Sequence, residues 1–511
     1  GRNWLREPTV AGPKPVGAAV LPAASTPVTE SALLLQRGCY AVVVDPLKPE
    51  QAVAATSVGT FLREPDGVGG FRWRRLWFAL TVNGVGTVTA ASEIPDVTGL
   101  ACGASGGITT FVAALRSGQV FSYTTLDAEA VLGQPPLWRP LGAATWPSLT
   151  APTWLASQLP TPPAGPPGAA TLRCTLAMRE TDRTVVYLVR QDGSGFRCDI
   201  RPQADGTTLA TWGTITPMPV DLTPASATPG QGTLSWVGNQ GWYDLALAVD
   251  PRSADRIALG GSTVKALNDA IAASNTPGAN WFSSIWAGTI TPNGANWTLA
   301  STYIGARAHA DVHRLAFTPG DGNELWSGND GGVFRCDGWD RPGAAFMARN
   351  RGLATLSGNS VDTHPREDAL VLLATQDNGA AFGQGTPGWR MVSQGDSGAS
   401  VWHWGDALAG VPVRALITYT GYTIYRYSNG GTSYVDEVDV AAGGDGVGFY
   451  PPIVGAPLNA ATPAQANRVV VGARRLWLSD TFGGPSPSPS PPDTGDWASL
   501  PNNAVGDRLP P

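Results

Sequence analysis

Cys39-Tyr-Ala-Val-Val-Val-Asp45-Pro46, followed after a short polar gap by Ala52-Val-Ala-Ala-Thr56, reads as two strands joined by a turn. An apolar run reaches an Asp-Pro pair, where proline has no N–H for the ladder and aspartate bonds its own turn, so the strand must stop there. The same arrangement recurs at Leu245-Ala-Leu-Ala-Val-Asp250-Pro251 with Arg256-Ile-Ala-Leu-Gly-Gly261, and at Leu315-Ala-Phe-Thr-Pro319 with Glu324-Leu-Trp-Ser-Gly328. It recurs again at Val361-Asp-Thr-His-Pro365 with Leu370-Val-Leu-Leu-Ala-Thr375. Weaker copies begin near Leu100, Cys174, Val401 and Pro452, which makes eight anchors spaced by about 40 to 75 residues.

That spacing suits a four-stranded sheet with variable loops. The first strand of each copy is apolar throughout, which predicts burial on both faces, and the later strands alternate. One such sheet cannot cover both of its own faces, so stacking around an axis is expected. The predicted fold is all-β: a β-propeller of about seven to eight four-stranded blades. Residues 36–511 are assigned to it, with residues 1–35 as an N-terminal extension or the outer strand of a cut blade. Two stretches interrupt the period as surface excursions: residues 145–170, rich in Pro, Ala and Trp, and the Ser-Pro run at 485–492, expected to be extended polyproline II. Asn3-Trp4-Leu5 and Asp496-Trp497-Ala-Ser-Leu500 read as outer-strand tryptophan segments. Opening on Gly1, the chain reads as a product of leader removal or as part of a longer protein.

Composition agrees and excludes several classes. Glycine (63) and proline (44) are abundant among 511 residues, with 19 tryptophans, which favours short strands and tight turns over helical bundles. A formal net charge of −6 argues against a nucleic-acid partner, which would select a basic face. No apolar run reaches membrane-spanning length. Cys39, Cys102, Cys174, Cys198 and Cys336 are too few and too scattered for a disulfide scaffold, so mostly buried free thiols are expected.

At the third-strand turn the chain carries Ser428-Asn-Gly-Gly-Thr-Ser-Tyr434, Ser479-Asp-Thr-Phe-Gly-Gly484 and Cys336-Asp-Gly-Trp-Asp340. These are degenerate forms of an Asp-box, Ser-x-Asp-x-Gly-x-Thr-Trp, in which a short polar residue bonds the turn backbone and tryptophan plugs the blade edge. With His309-Ala-Asp311-Val-His313, Gly328-Asn329-Asp330-Gly-Gly-Val333, Thr375-Gln376-Asp377-Asn378-Gly379 and Gly395-Asp396-Ser-Gly398, the chain resembles the secreted Asp-box (BNR) propellers. That group includes xyloglucanase-like, sortilin-like and photosystem-assembly-factor-like members. The likeness runs from about Trp242 to Trp497, and is architectural only from Cys39 to about Trp212. It implies the fold and an extracellular or cell-surface setting, and leaves activity open, since the group mixes enzymes, receptors and assembly factors.

His309, Asp311, His313, Asn329, Asp330, Gln376, Asp377, Asn378 and Asp396 are therefore candidates for a ligand site at a channel mouth. The competing reading, which we prefer, is that Asn-Asp-Gly and Asp-Asn-Gly are turn formers whose carboxylates bond neighbouring N–H groups. On a straight strand His309, Asp311 and His313 would share one face, with the histidines about 13 Å apart, too far for one zinc. A polar network is preferred, and no metal or cofactor is assigned.

Glycoside hydrolysis would need two carboxylates about 5 to 10 Å apart, one with a raised pKa. None matches the family's catalytic pair, and the sialidase signature Phe/Tyr-Arg-Ile-Pro is absent. Trp402 and Trp404 could stack sugars, though blade tryptophans more often pack. Asn296-Trp-Thr298 is a candidate N-glycosylation sequon. The expected function is a non-catalytic extracellular interaction module in a larger assembly, binding protein or glycan partners; the alternative is a xyloglucanase-like glycoside hydrolase.

Overall fold

The computed structural model describes residues 9–10, 19–20, 39–57, 59–82, 88–92, 97–115, 120–124, 137–140, 173–202, 208–220, 235–238, 240–263, 283–353, 356–409, 413–421, 423–428, 433–439, 447–456, 463–484 and 497–499. Trp4, the segments 145–170 and 485–492, and the turn 429–432 lie outside them. The chain divides into two compact units, residues 1–351 and 352–511.

The fold is a β-propeller assembled from four-stranded antiparallel meanders, eight among the described residues. In the first unit, blades one to five begin with the strands Cys39–Val44, Val97–Ser105, Cys174–Met178, Ala246–Val249 and Val312–Phe317. In the second unit, blades six to eight begin with Gly358–Thr363, Ser400–Trp402 and Ile453–Gly455. All eight starts fall on the repeat anchors. Extra strands attach at outer edges: Thr9–Val10 pairs in parallel with Phe71–Arg75, and the hairpin of Trp77–Val82 and Val88–Ser92 joins Leu137–Pro140. Blades three and four share one sheet through a parallel bridge, Ile215 to Trp297.

The hydrophobic core lies between blades, not within them. Val53, Leu62, Leu100 and Phe111 join blades one and two; Val112, Leu176, Val186 and Leu188 join two and three. Tyr187, Leu247 and Leu259 join three and four, and Ala258, Ile285, Leu315 and Leu325 join four and five. In the second unit Leu372, Phe382, Trp402 and Ile417 join six and seven, and Val401, Leu416, Val469 and Trp477 join seven and eight. Each sheet thus covers its neighbour, which is how sheets with two apolar faces escape water.

The first strands of blades two, three and four are mostly buried, as expected, and that of blade one is not. Cys39–Val44 is largely half-exposed, with Val42 and Val44 each 51% exposed, whereas the second strand, Ala52–Thr56, is buried throughout, as is Val185–Arg190. In the first unit the first strands converge on a cavity of about 330 Å³ lined by Val43, Leu100, Leu176, Leu247 and Leu315 among others. Residues on those strands open onto it. The second strand of blade three, Val185–Arg190, lies farther out, with blades two and four against its two faces.

The Asp-Pro turns work as their chemistry predicts. Asp45 Oδ1 accepts from the Leu47 N–H at 2.9 Å and from Thr109 Oγ1 of blade two at 2.6 Å. Asp250 is fully buried, accepts from the Arg252 N–H at 2.9 Å and pairs with the Arg252 and Arg256 guanidiniums. At the matching place in blade six His364 Nδ1 accepts from the N–H groups of Arg366 and Glu367, both at 3.2 Å. No disulfide joins the five cysteines; Cys174, Cys198 and Cys336 are buried, Cys102 is half-buried and Cys39 is exposed. Trp402 is buried, so it packs and stacks no ligand. No helix among the described residues is long and apolar enough to cross a membrane.

Candidate functional site

Antiparallel strands put the start of a first strand and the turn between strands two and three at the same end of a blade. Acidic residues at both places in blades four and five therefore meet. Asp244 lies two residues before Ala246–Val249, Asp311 one residue before Val312–Phe317, and Asp330 in the turn between Glu324–Asn329 and Gly332–Asp337.

Asp311 adopts a left-handed backbone, φ 62°, which aspartate tolerates better than most residues, and its N–H donates to the Ser262 carbonyl at 3.2 Å. It is therefore a turn residue and not part of a strand, so the expected stripe of His309, Asp311 and His313 along one strand face does not form. Only His313 lies on the strand. His309 instead sits over Gly331, where even a Cβ would meet its ring at about 2.5 Å, and its Nδ1 contacts the Ala310 carbonyl.

One amide organises the cluster. Gln240 Nε2 donates to Asp244 Oδ2 at 3.1 Å, Asp311 Oδ1 at 3.0 Å and Ser262 Oγ at 2.6 Å. Ser262 Oγ donates in turn to Asp311 Oδ1 at 2.9 Å. Asp330 accepts from Tyr243 OH at 3.0 Å and meets His313 Nε2 at 2.5 Å, and the Tyr243 and His313 rings lie edge to face at 4.7 Å. Carboxylate oxygens of Asp311 and Asp330 lie within 4.8 Å of each other. Burial first, then the Asp311 and Asp330 carboxylates, push the Asp244 carboxyl up to about 9, so it is protonated at neutral pH.

The segment carrying Tyr243 and Asp244 is fixed by a close approach. Gly241 packs on blade three so tightly that a Cβ would sit 2.1 Å from the Gln191 carbonyl oxygen. Tyr243 and Asp244 donate their N–H groups to the Gln240 carbonyl at 2.7 and 2.8 Å, closing a tight turn. Above it Trp242 and Tyr243 face solvent, 63% and 38% exposed, with rings 5.6 Å apart.

Of the sequence candidates, Asp311, His313 and Asp330 come together here. Asn329 is buried in a turn role, its Oδ1 accepting from the Gly331 N–H at 3.1 Å. In the second unit a related pairing forms: Asp396 Oδ1 accepts from Tyr450 OH at 2.9 Å and from the Asp377 N–H at 3.3 Å. Asp377 is also left-handed, φ 61°. Asn378 donates to the Gln376 carbonyl, while the Gln376 side chain is exposed. Burial and the Asp396 carboxylate raise the Tyr450 phenol, keeping it a donor. Asn296 is exposed beside a hairpin turn, its Oδ1 accepting from the Thr214 N–H at 3.0 Å.

Sequence reading missed Gln240, Tyr243, Asp244 and Ser262. The available signal was register: Asp244 stands before the blade-four strand much as Asp311 stands before that of blade five.

No protein-family model matches the chain, and no curated protein matches it. Among solved structures it is similar to a GH74 enzyme of Niastella koreensis, at 12% identity and TM-score 0.40, over 91% of this chain and 73% of that one. It is also similar to the Cps50 (Swd1) β-propeller domain of Myceliophteria thermophila, at 9% identity and TM-score 0.31, over 79% and 97% of the two chains. Sqt1 of Chaetomium thermophilum matches at 12% identity and TM-score 0.27, over 82% and 86%. At these values none of the three bears on activity or partners here.

Proposed function

We propose that this chain is a non-catalytic propeller of the extracellular space or cell surface, an interaction module of a larger assembly that binds protein or glycan partners. The carrying observation is the solvent-facing pair Trp242 and Tyr243, seated beside the close approach of Gly241 to blade three and rimmed by His313 and Asp330. Exposed aromatics beside a few polar groups are the usual anchors for a sugar ring or a partner side chain. The exposed sequon asparagine Asn296 fits a secreted setting.

Descent from the Asp-box propellers is part of the same reading. It is supported by the Ser479 hydroxyl, which accepts from the N–H groups of Thr481 at 3.3 Å and Gly483 at 2.8 Å, and by buried Trp339, whose Nε1 donates to the Gly322 carbonyl at 2.9 Å.

The second reading is a glycoside hydrolase, favoured by one observation, the raised carboxyl of Asp244 beside two other aspartates. Yet a general acid must touch the leaving oxygen, and the Asp244 side chain is fully buried.

Glycan and protein arrays probed with the full chain test the proposal. A ligand bound by the parent is expected to bind Trp242→Ala at least about tenfold more weakly. Equal binding by parent and variant would remove this face from the account.

A further inference from the structure

We infer that the cavity among the first strands of blades one to five binds a small apolar amine, its hydrocarbon body against the aliphatic walls and its ammonium at Glu180. The inference does not depend on which partner Trp242 and Tyr243 take.

Three observations carry it. The cavity, about 330 Å³, falls within the range of small-molecule sites, roughly 300 to 1,000 Å³. Its walls are mostly aliphatic, with Val44, Leu100, Leu176, Leu247 and Leu315 each from a different blade. Water against such walls finds few hydrogen-bond partners, so an apolar body gains by displacing it. Second, the only charged side chains in the lining are Glu180 and Arg314, and neither makes an ion pair among the described residues. Arg314 stands in the first half of Val312–Phe317, whereas Glu180 lies two residues beyond the end of Cys174–Met178. The first strands of blades two and three run parallel, the Cys174 N–H donating to Thr98 Oγ1 at 3.0 Å and the Ala104 N–H to the Glu180 carbonyl at 2.8 Å. Radial repetition carries that direction around the axis, so the two charges sit at different heights and a head group meets one or the other.

Third, the field inside the cavity selects Glu180. Cys102, another lining residue, donates its thiol to the Val44 carbonyl at 3.3 Å. Burial first, then the carboxylates of Asp45 and Glu180, push that thiol up to about 12, and the Arg314 guanidinium, acting the other way, has a smaller effect than either. Two carboxylates therefore outweigh one guanidinium in this part of the cavity, which favours a cation over an anion. Asp45 is itself fully buried and bonded to Leu47 and Thr109, so Glu180, exposed in the lining, is the group that meets the ammonium.

The test titrates the full chain by calorimetry with adamantylamine, adamantanol and adamantanecarboxylate, which share one hydrocarbon cage and differ in the head group. The amine is expected to bind at least about tenfold more tightly than the alcohol, and the carboxylate most weakly. Glu180→Gln should remove the amine's advantage and leave the alcohol unchanged. Ala316→Trp, which fills the cavity from an exposed position in its wall, should abolish binding of all three. Should that variant misfold, Glu180→Gln still decides the matter, because the Glu180 side chain is unpaired among the described residues. No binding of the amine at millimolar concentration would overturn the inference, as would binding that survives in a folded Ala316→Trp. Equal affinity for amine and alcohol, or tighter binding of the carboxylate, would equally overturn it.

Discussion

The carboxyls of Asp244 and Asp311, 67 positions apart in the sequence, are tied to one nitrogen, Gln240 Nε2, at 3.1 and 3.0 Å. The tie follows from blade geometry. Each aspartate ends the approach to an inner strand, and successive inner strands stand side by side, so residues at the same register meet. Tyr243 and Asp330 complete the group from neighbouring turns, and His313 from the first strand of blade five.

Asp244 gives the stability of the chain a pH dependence of definite sign. Its carboxyl sits near the ordinary 3.9 when unfolded and at about 9 when folded, so between those values the folded chain holds more protons. This group's contribution is full at acid pH and declines as pH rises, by up to about 1.4 kcal/mol per pH unit, levelling above pH 9. Asp244→Asn, whose amide replaces the proton as a donor, should flatten that slope. Urea unfolding between pH 5 and 9 measures it, and parallel slopes for parent and variant would refute the assignment.

His403 acts in the opposite direction. Burial, and then the Arg414 guanidinium, hold its imidazole below the usual histidine range, although Asp406 lies 2.8 Å from Nδ1. The unfolded chain therefore binds a proton first, near pH 6.5. The contribution is complete above that pH and is lost as pH falls through it. Thermal melts of parent and His403→Gln from pH 5 to 8 should converge toward acid pH.

Trp402 joins blades six and seven. It is 1% exposed, its Nε1 donates to the Asp362 carbonyl at 3.2 Å, and its ring meets Phe382 edge to face. Trp402→Ala should cost roughly 3 to 5 kcal/mol, through the cavity left between blades. A loss below about 1 kcal/mol in denaturant unfolding would mean that the blades do not rely on that contact.

Gly241 seats the Trp-Tyr-Asp segment, so Gly241→Ala should shift the candidate site as well as lower stability by on the order of 1 to 3 kcal/mol. The check is near-ultraviolet circular dichroism together with unfolding. An unchanged spectrum and midpoint would mean that the close approach to Gln191 is absent.

How much of this could be read from sequence depended on range. All eight blade starts were legible because turn chemistry is local: Asp45 and Asp250 bond the backbone two residues on, whatever the rest of the chain does. The exposure of Val42 and Val44 was not, because it depends on four other first strands meeting around a cavity. Strand periodicity misled at Asp311, since one left-handed residue ends the alternation. Asp244 was overlooked because Gly241-Trp-Tyr-Asp244 has no turn signature, and only its register relative to Asp311 marks it. The short helix Trp404–Ala409 after the first strand of blade seven was likewise not anticipated.

The central claim is that the face carrying Trp242, Tyr243 and Asp330 binds without turning over. A hydrolysis screen of plant and microbial polysaccharides, run with the parent chain and Asp330→Asn and read by reducing-end release, tests it directly. The account predicts no release above background from either protein. Release by the parent that disappears in a folded Asp330→Asn variant would contradict it and establish the chain as a glycoside hydrolase.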